Sequence, residues 1–162
     1  MCGINGIVGE DISLTHIFDM FNLSAHRGPD KTTFIKTKDL AICFHHLAIS
    51  DVSHGKIQPY TIRTEEKTIY ILCNGEIFNH EDLRKEINET NNYTFESSSD
   101  CEVLIPLYNR YGMNFINKLD GDFAIAIFEI TSEYKKIYLT RDRIGTRELY
   151  YVSSCIGPSF IE

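Results

Sequence analysis

Apolar residues recur along the chain with two periods, and each period marks a different kind of element. Residues 3–9 (GINGIVG) predict a short buried strand, in which Gly3, Gly6 and Gly9 allow close backbone approach. Ser13 suits a helix cap, and Leu14, Ile17, Phe18 and Phe21 then follow helical spacing until Gly28-Pro29 ends the element. Residues 40–49 turn extended, with Leu40, Ile42 and Phe44 on one face. Residues 68–73 (TIYILC) form another β-rich run, closed by Asn74-Gly75. Residues 80–87 predict a short amphipathic helix. A second helix begins after Ser97-Ser98-Ser99 and reaches Tyr111-Gly112, with Pro106 inside it and a kink expected there. Strand-like segments at 123–130, 136–140 and 149–153 complete the pattern.

Strands and helices therefore occur in blocks, with two helices between strand groups. That order favours packed β layers with helical cover, an α+β arrangement, over an alternating parallel α/β sheet. A length of 162 residues, without internal repeats or low-complexity linkers, suits one domain over 1–162. With 43% apolar residues the chain is too hydrophobic for a disordered segment. The formal charge of −7 argues against a broad nucleic-acid surface. No run approaches the ~18 apolar residues of a membrane span. MCGINGIVGED lacks the basic and apolar regions of a signal peptide, so a cytoplasmic location is expected. Cys2, Cys43, Cys73, Cys101 and Cys155 are odd in number and scattered, which fits neither a disulfide framework nor a zinc site. No metal or cofactor is expected.

Cys2 changes the picture because it follows the initiator methionine directly. A small residue at position two permits removal of that methionine, leaving Cys2 with a free α-amine of reference pKa about 7.7–8.0. The amine can take the thiol proton and later give it to a leaving amine, so one residue supplies nucleophile and base. The alternative is a buried thiol near a chain end. Asn74-Gly75-Glu76 is the second candidate. An amide side chain and a backbone N–H from Asn74 and Gly75 could stabilise an oxyanion, while an ordinary N-G turn between strands explains the same pair. Glu76 and Asp100 could receive a substrate ammonium, or simply face solvent and cap a helix.

Taken in order, these segments resemble the class II glutamine amidotransferases, and within them the glutaminase domain of glutamine-hydrolysing asparagine synthetases. The matching blocks are MCGINGIVG at 1–9, HRGPD at 26–30, LAISDV at 47–52 with Gln58-Pro59 following, NGEIFNH at 74–80, SDCEV at 99–103, LDGDFAIAIFE at 119–129 and RDRIGTRELYY at 141–151. Several short motifs in one order are far more specific than any alone. The resemblance implies an N-terminal nucleophile hydrolase fold, an αββα sandwich of two antiparallel sheets. It implies a Cys2 thioester on the way from L-glutamine to L-glutamate and ammonia, with Asn74 and Gly75 as oxyanion donors. Glu76 and Asp100 would hold the α-ammonium, with His46, Leu47, Ile49 and Ser50 lining the pocket.

The chain departs from that pattern in three places. His46 stands where the family has an arginine for the substrate α-carboxylate. Imidazole cannot make the bidentate fork of guanidinium, and losing a charged hydrogen bond lowers affinity about 10- to 150-fold. His46 could instead be a packed strand histidine, and His45 should face the opposite side of the strand. Arg147-Glu148 replaces the usual lysine-proline, a change expected to affect structure more than chemistry, with Glu148 at the surface or salt-bridged. Finally, after Ser159-Phe160-Ile161-Glu162 no S-G-G nucleotide loop follows, so any ATP and magnesium would belong to a separate synthetase subunit receiving the ammonia. Besides a glutaminase, the pattern admits an amino-acid-binding regulatory module or a remnant of an interrupted synthetase. If His46 occupies the clamp position, His46→Arg lowers the apparent Michaelis constant for glutamine. An unchanged constant in steady-state assays places the clamp elsewhere.

Overall fold

Strand pairing builds two separate antiparallel sheets, and the alternation of side chains decides what covers each face. The computed structural model describes residues 1–10, 12–48, 56–90 and 93–153. The first sheet holds β1 (Gly3–Val8), β2 (Lys31–Lys36) and β3 (Leu40–His46) in the order β1-β3-β2. The second holds β4 (Tyr60–Arg63), β5 (Lys67–Ile77), β6 (Gly121–Thr131) and β7 (Lys135–Arg141) in chain order. Helix α1 (Leu14–Ser24) lies on the first sheet, while α2 (His80–Thr90) and α3 (Leu104–Tyr111) lie on the second.

Three apolar layers result. Leu40, Ile42 and Phe44 of β3 meet Tyr70, Leu72, Ala126 and Phe128 between the sheets. The opposite face of β3, with Ala41 and Cys43, packs under Ile17 and Phe21 of α1. On the far side of the second sheet, Ile69, Ile71, Ile125 and Ile127 pack with Leu83, Ile87, Leu104 and Leu107. Both faces of β3 and β5 are thus buried, which is the expected αββα sandwich.

Several elements differ from the periodicity. Leu14 and Phe18 share the helical spacing of α1 yet stay exposed: Ile17 and Phe21 are the residues buried on the sheet, and Phe18 stacks on Phe34 of the edge strand β2, ring centroids 6.3 Å apart. The second predicted helix divides into a 3₁₀ segment, Asp100–Val103, and α3. Pro106 falls in the first turn of α3, where a missing N–H leaves no intrahelical bond broken, so the expected kink is not required. β2 and β4 were not predicted, being short and partly exposed. Residues 149–153 form no strand. Tyr150 and Val152 are exposed, for the chain leaves the sheet at a turn after β7.

That turn is built on one carboxylate. Asp142 is buried and accepts backbone N–H bonds from Gly145 at 2.7 Å, Thr146 at 2.9 Å and Arg147 at 3.2 Å. Gly145 has φ +78°, a conformation that disfavours a side chain. Burial by itself raises the Asp142 carboxyl, but the converging donors outweigh it and hold the group well below the usual carboxylate range. A depressed carboxyl stabilises the fold fully above its unfolded value and progressively less as pH falls toward its folded value. Asp142→Asn should therefore lower the melting temperature at neutral pH. In thermal melts, the gap from the parent should narrow below about pH 4.

Candidate active site

β5 is longer than the strand beside it. β4 pairs with β5 only from Thr68 to Ile71, whereas β6 follows β5 to Ile77. Among the described residues, 72–77 therefore present one edge without a strand, and its backbone groups need other partners. The Cys73 N–H donates to Gln58 Oε1 at 2.5 Å, and the Ile77 N–H to Asp100 Oδ2 at 2.6 Å. Strand alternation turns the Gly75 N–H to that same edge, between the two satisfied donors.

Asn74-Gly75 is consequently no turn. Asn74 lies opposite Ala124 and Gly75 opposite Phe123 in a continuous ladder. Glycine is required here, because an added Cβ would stand 2.1 Å from the Asp122 carbonyl oxygen and 2.6 Å from Phe123 Cα. Asn74 shares the parity of Tyr70 and Leu72, so it belongs to the inter-sheet side of β5. Cys2 packs against that same inter-sheet cluster. The two residues meet in a cavity of about 160 Å³, also lined by His46, Leu47, Gly75, Glu76, Asp100 and Arg147.

The HRGPD segment staples the chain start to the end of β3. Arg27 Nε donates to the Cys2 carbonyl at 3.4 Å. The Asp30 N–H donates to the His46 carbonyl at 3.1 Å, and Asp30 Oδ2 accepts the Ala48 N–H at 2.7 Å. Gly28 runs so close to β3 that a Cβ would stand 2.2 Å from the His45 carbonyl oxygen. The β1–β3 ladder, with Gly3 opposite His45, already sets the chain start beside the end of β3, and Cys2 Sγ lies 4.0 Å from the Leu47 carbonyl oxygen.

Burial pushes the Cys2 thiol up, partly offset by the Leu47 backbone and the positive chain terminus. A thiol so placed stays protonated near neutral pH and needs a base to become a nucleophile. Cys73 and Cys101 line the same cavity but are buried. The neighbouring Cys73 thiol and burial hold the Cys101 thiol well above its ordinary range. Cys2 is the more accessible sulfur. Met1 also lines the cavity, its sulfur 3.9 Å from Arg27 Nη2.

Of the residues singled out in the sequence, Cys2, His46, Leu47, Asn74, Gly75, Glu76 and Asp100 converge on this cavity. Ile49 and Ser50 lie outside the described residues. His46 ends β3 with its ring stacked on Phe44, centroids 5.9 Å apart. His45 does face away, bonded through Nε2 to the Phe21 carbonyl at 2.9 Å and through Nδ1 to Thr32 Oγ1 at 2.8 Å. Glu76 is exposed at the rim, and Asp100 is half-buried. Sequence reasoning did not assign roles to Arg27, Gln58 or Arg147. The motifs containing them were visible, but nothing local said what they would touch.

Comparison with known proteins agrees with this geometry. The family profile described as a glutamine amidotransferase domain matches residues 1–159. The chain is 34% identical over 154 residues to asparagine synthetase [glutamine-hydrolyzing] 1 of Arabidopsis thaliana, covering 93% of this chain and 25% of that protein. It is 31% identical over 157 residues to asparagine synthetase [glutamine-hydrolyzing] 2 of Bacillus subtilis (strain 168), covering 93% and 20% respectively. The chain thus spans a quarter or less of the length of these curated relatives. Its fold resembles the glutamine phosphoribosylpyrophosphate amidotransferase of B. subtilis, with TM-score 0.65, 20% identity, and coverage of 86% of this chain and 37% of that one. By the profile match along nearly its whole length, the chain belongs to the glutamine amidotransferase domain family.

Proposed function

We propose that this chain hydrolyses L-glutamine to L-glutamate and ammonia through a thioester on Cys2. The observation that carries the reading is the bare β5 edge, with the Gly75 N–H and Asn74 beside the cavity that holds Cys2.

Met1 must first be removed, because while it is present the Cys2 nitrogen is an amide and cannot act as a base. The freed α-amine accepts the thiol proton, directly or through one water, and the sulfur attacks the carboxamide carbon. The developing oxyanion takes hydrogen bonds from the Asn74 amide and the Gly75 N–H, the latter already held in place by the ladder. Collapse breaks the C–N bond as the amine returns its proton to the departing nitrogen, which leaves as ammonia. The same amine then takes a proton from water, whose oxygen attacks the thioester, and glutamate departs as the thiol is restored. Glu76 and Asp100 receive the substrate α-ammonium. Arg27 acts as a positioning residue by holding the Cys2 carbonyl.

This half-reaction consumes only glutamine and water, and the chain's own groups supply its acid, base and nucleophile. On this reading the ammonia passes to a synthetase site in asparagine biosynthesis, and ATP and magnesium act there. Among the described residues Cys2, Cys43, Cys73 and Cys101 are free thiols, which fits the reducing cytoplasm. No helix among the described residues is long and apolar enough to cross a membrane. A second reading rests on Met1 lining the cavity. If it is retained, the pocket keeps groups for binding an amino acid but lacks a base, and the chain becomes a regulatory binding module.

Intact-mass measurement of the natural protein should find Met1 absent, and its retention would leave only the binding reading. Glutaminase assays on the processed protein should show activity that disappears in Cys2→Ala. Equal rates in the two proteins would remove Cys2 from the chemistry. Asn74→Ala should lower kcat about 10²- to 10³-fold with a smaller change in KM. A change confined to KM would assign Asn74 to substrate binding instead.

A further inference from the structure

We propose that Arg147 binds the α-carboxylate of the substrate, the role for which this pocket has no arginine at position 46. The proposal rests on the reading of the ligand as glutamine. Glutamine is a zwitterion, and the cavity wall carries two carboxylates, Glu76 and Asp100. These suit the α-ammonium but repel the α-carboxylate, which needs a cation of its own. Among the described residues, the lysine and arginine side chains lining the cavity are Lys56 and Arg147. Lys56 is engaged by Glu96, at 2.6 Å. His46 stacks on Phe44 and offers at most single donors where a guanidinium offers a fork.

Arg147 is differently placed. Its Nε is buried and has no hydrogen-bond partner among the described residues. A buried donor without a partner is costly, and the cost is relieved when a ligand oxygen arrives. Its backbone is fixed by the Asp142 turn, whose carboxylate accepts the Arg147 N–H. The guanidinium is thereby delivered to the cavity from a rigid base, on the opposite side of the chain's sequence from Cys2. A carboxylate bound by such a fork is charge-assisted and geometrically specific. The two local departures from the family pattern then have one meaning: histidine at 46 removes a guanidinium fork, and arginine in place of the usual lysine at 147 supplies one.

The test separates the carboxylate from the rest of the ligand. In the Cys2→Ala protein, where no turnover occurs, calorimetric titrations compare L-glutamine with L-glutamine methyl ester, which keeps the ammonium and carboxamide but lacks the charged carboxylate. Arg147→Met should weaken glutamine binding about 10- to 150-fold. Ester binding should change by less than about twofold, and Arg147→Lys should recover part of the loss because it keeps the charge without the fork. The Asp142 turn uses only the backbone of residue 147, so melting curves should match the parent. Equal weakening for both ligands, or none for either, overturns the assignment. If the parent binds no glutamine, both this assignment and the proposed hydrolysis fall. If it binds glutamine but the processed Cys2 enzyme releases no ammonia, hydrolysis alone falls and the Arg147 assignment stands.

Discussion

The site depends on a mismatch in strand length. β4 stops opposite Ile71 while β5 and β6 continue together to Ile77, so the last residues of β5 have a neighbour on one edge only. An unpaired strand edge is usually a liability, since its N–H and C=O groups must find partners or invite another chain. Here Gln58 and Asp100 each satisfy one N–H, at Cys73 and at Ile77. The donor between them belongs to Gly75. Rigid ladder bonds to β6 hold it in place, so no reorganisation is needed when negative charge develops nearby.

Everything else brings chemistry to that edge. The sandwich buries both faces of β5, so Asn74 is carried on the inter-sheet side next to the chain start. Arg27, Gly28 and Asp30 tie the first residues to the end of β3, across a sequence gap that no local element could bridge. The Cys2 thiol gains a fixed position and loses acidity, since the same burial that orders it disfavours its charged form. In the proposed reaction the α-amine freed on removal of Met1 answers that loss, as a base adjacent to the sulfur.

The charge layout follows the same economy. Two carboxylates stand at the cavity, and Arg147 is brought to it from beyond β7 by a turn organised on Asp142. The anion at the centre of the turn is stabilised by three backbone donors, so its strength does not depend on which side chain residue 147 carries. Residue 147 can therefore vary in chemistry while its position is kept.

How much of this was legible beforehand depended on the range of the forces involved. Period-two and helical patterns located β1, β3, β5, β6, β7, α1 and α2, because burial of one face is written directly in residue order. The motifs around Cys2, Asn74, Asp100 and HRGPD suggested the proposed chemistry, since a nucleophile, an amide and carboxylates are properties of residues themselves. The N-G pair was ambiguous, as a turn and a mid-strand glycine look alike until the strand opposite is known. Residues 149–153 read like a strand yet form none, because β propensity is realised only where tertiary structure lays the segment along another strand. β2 and β4, the exposure of Leu14 and Phe18, and the roles of Gln58 and Arg147 were likewise decided by partners distant in sequence. Sequence alone determined which groups could react and which faces must be buried. Tertiary structure decided which backbone donor has no strand partner among the described residues and which cation faces the cavity, because both follow from how far one strand extends past another and where the chain turns back.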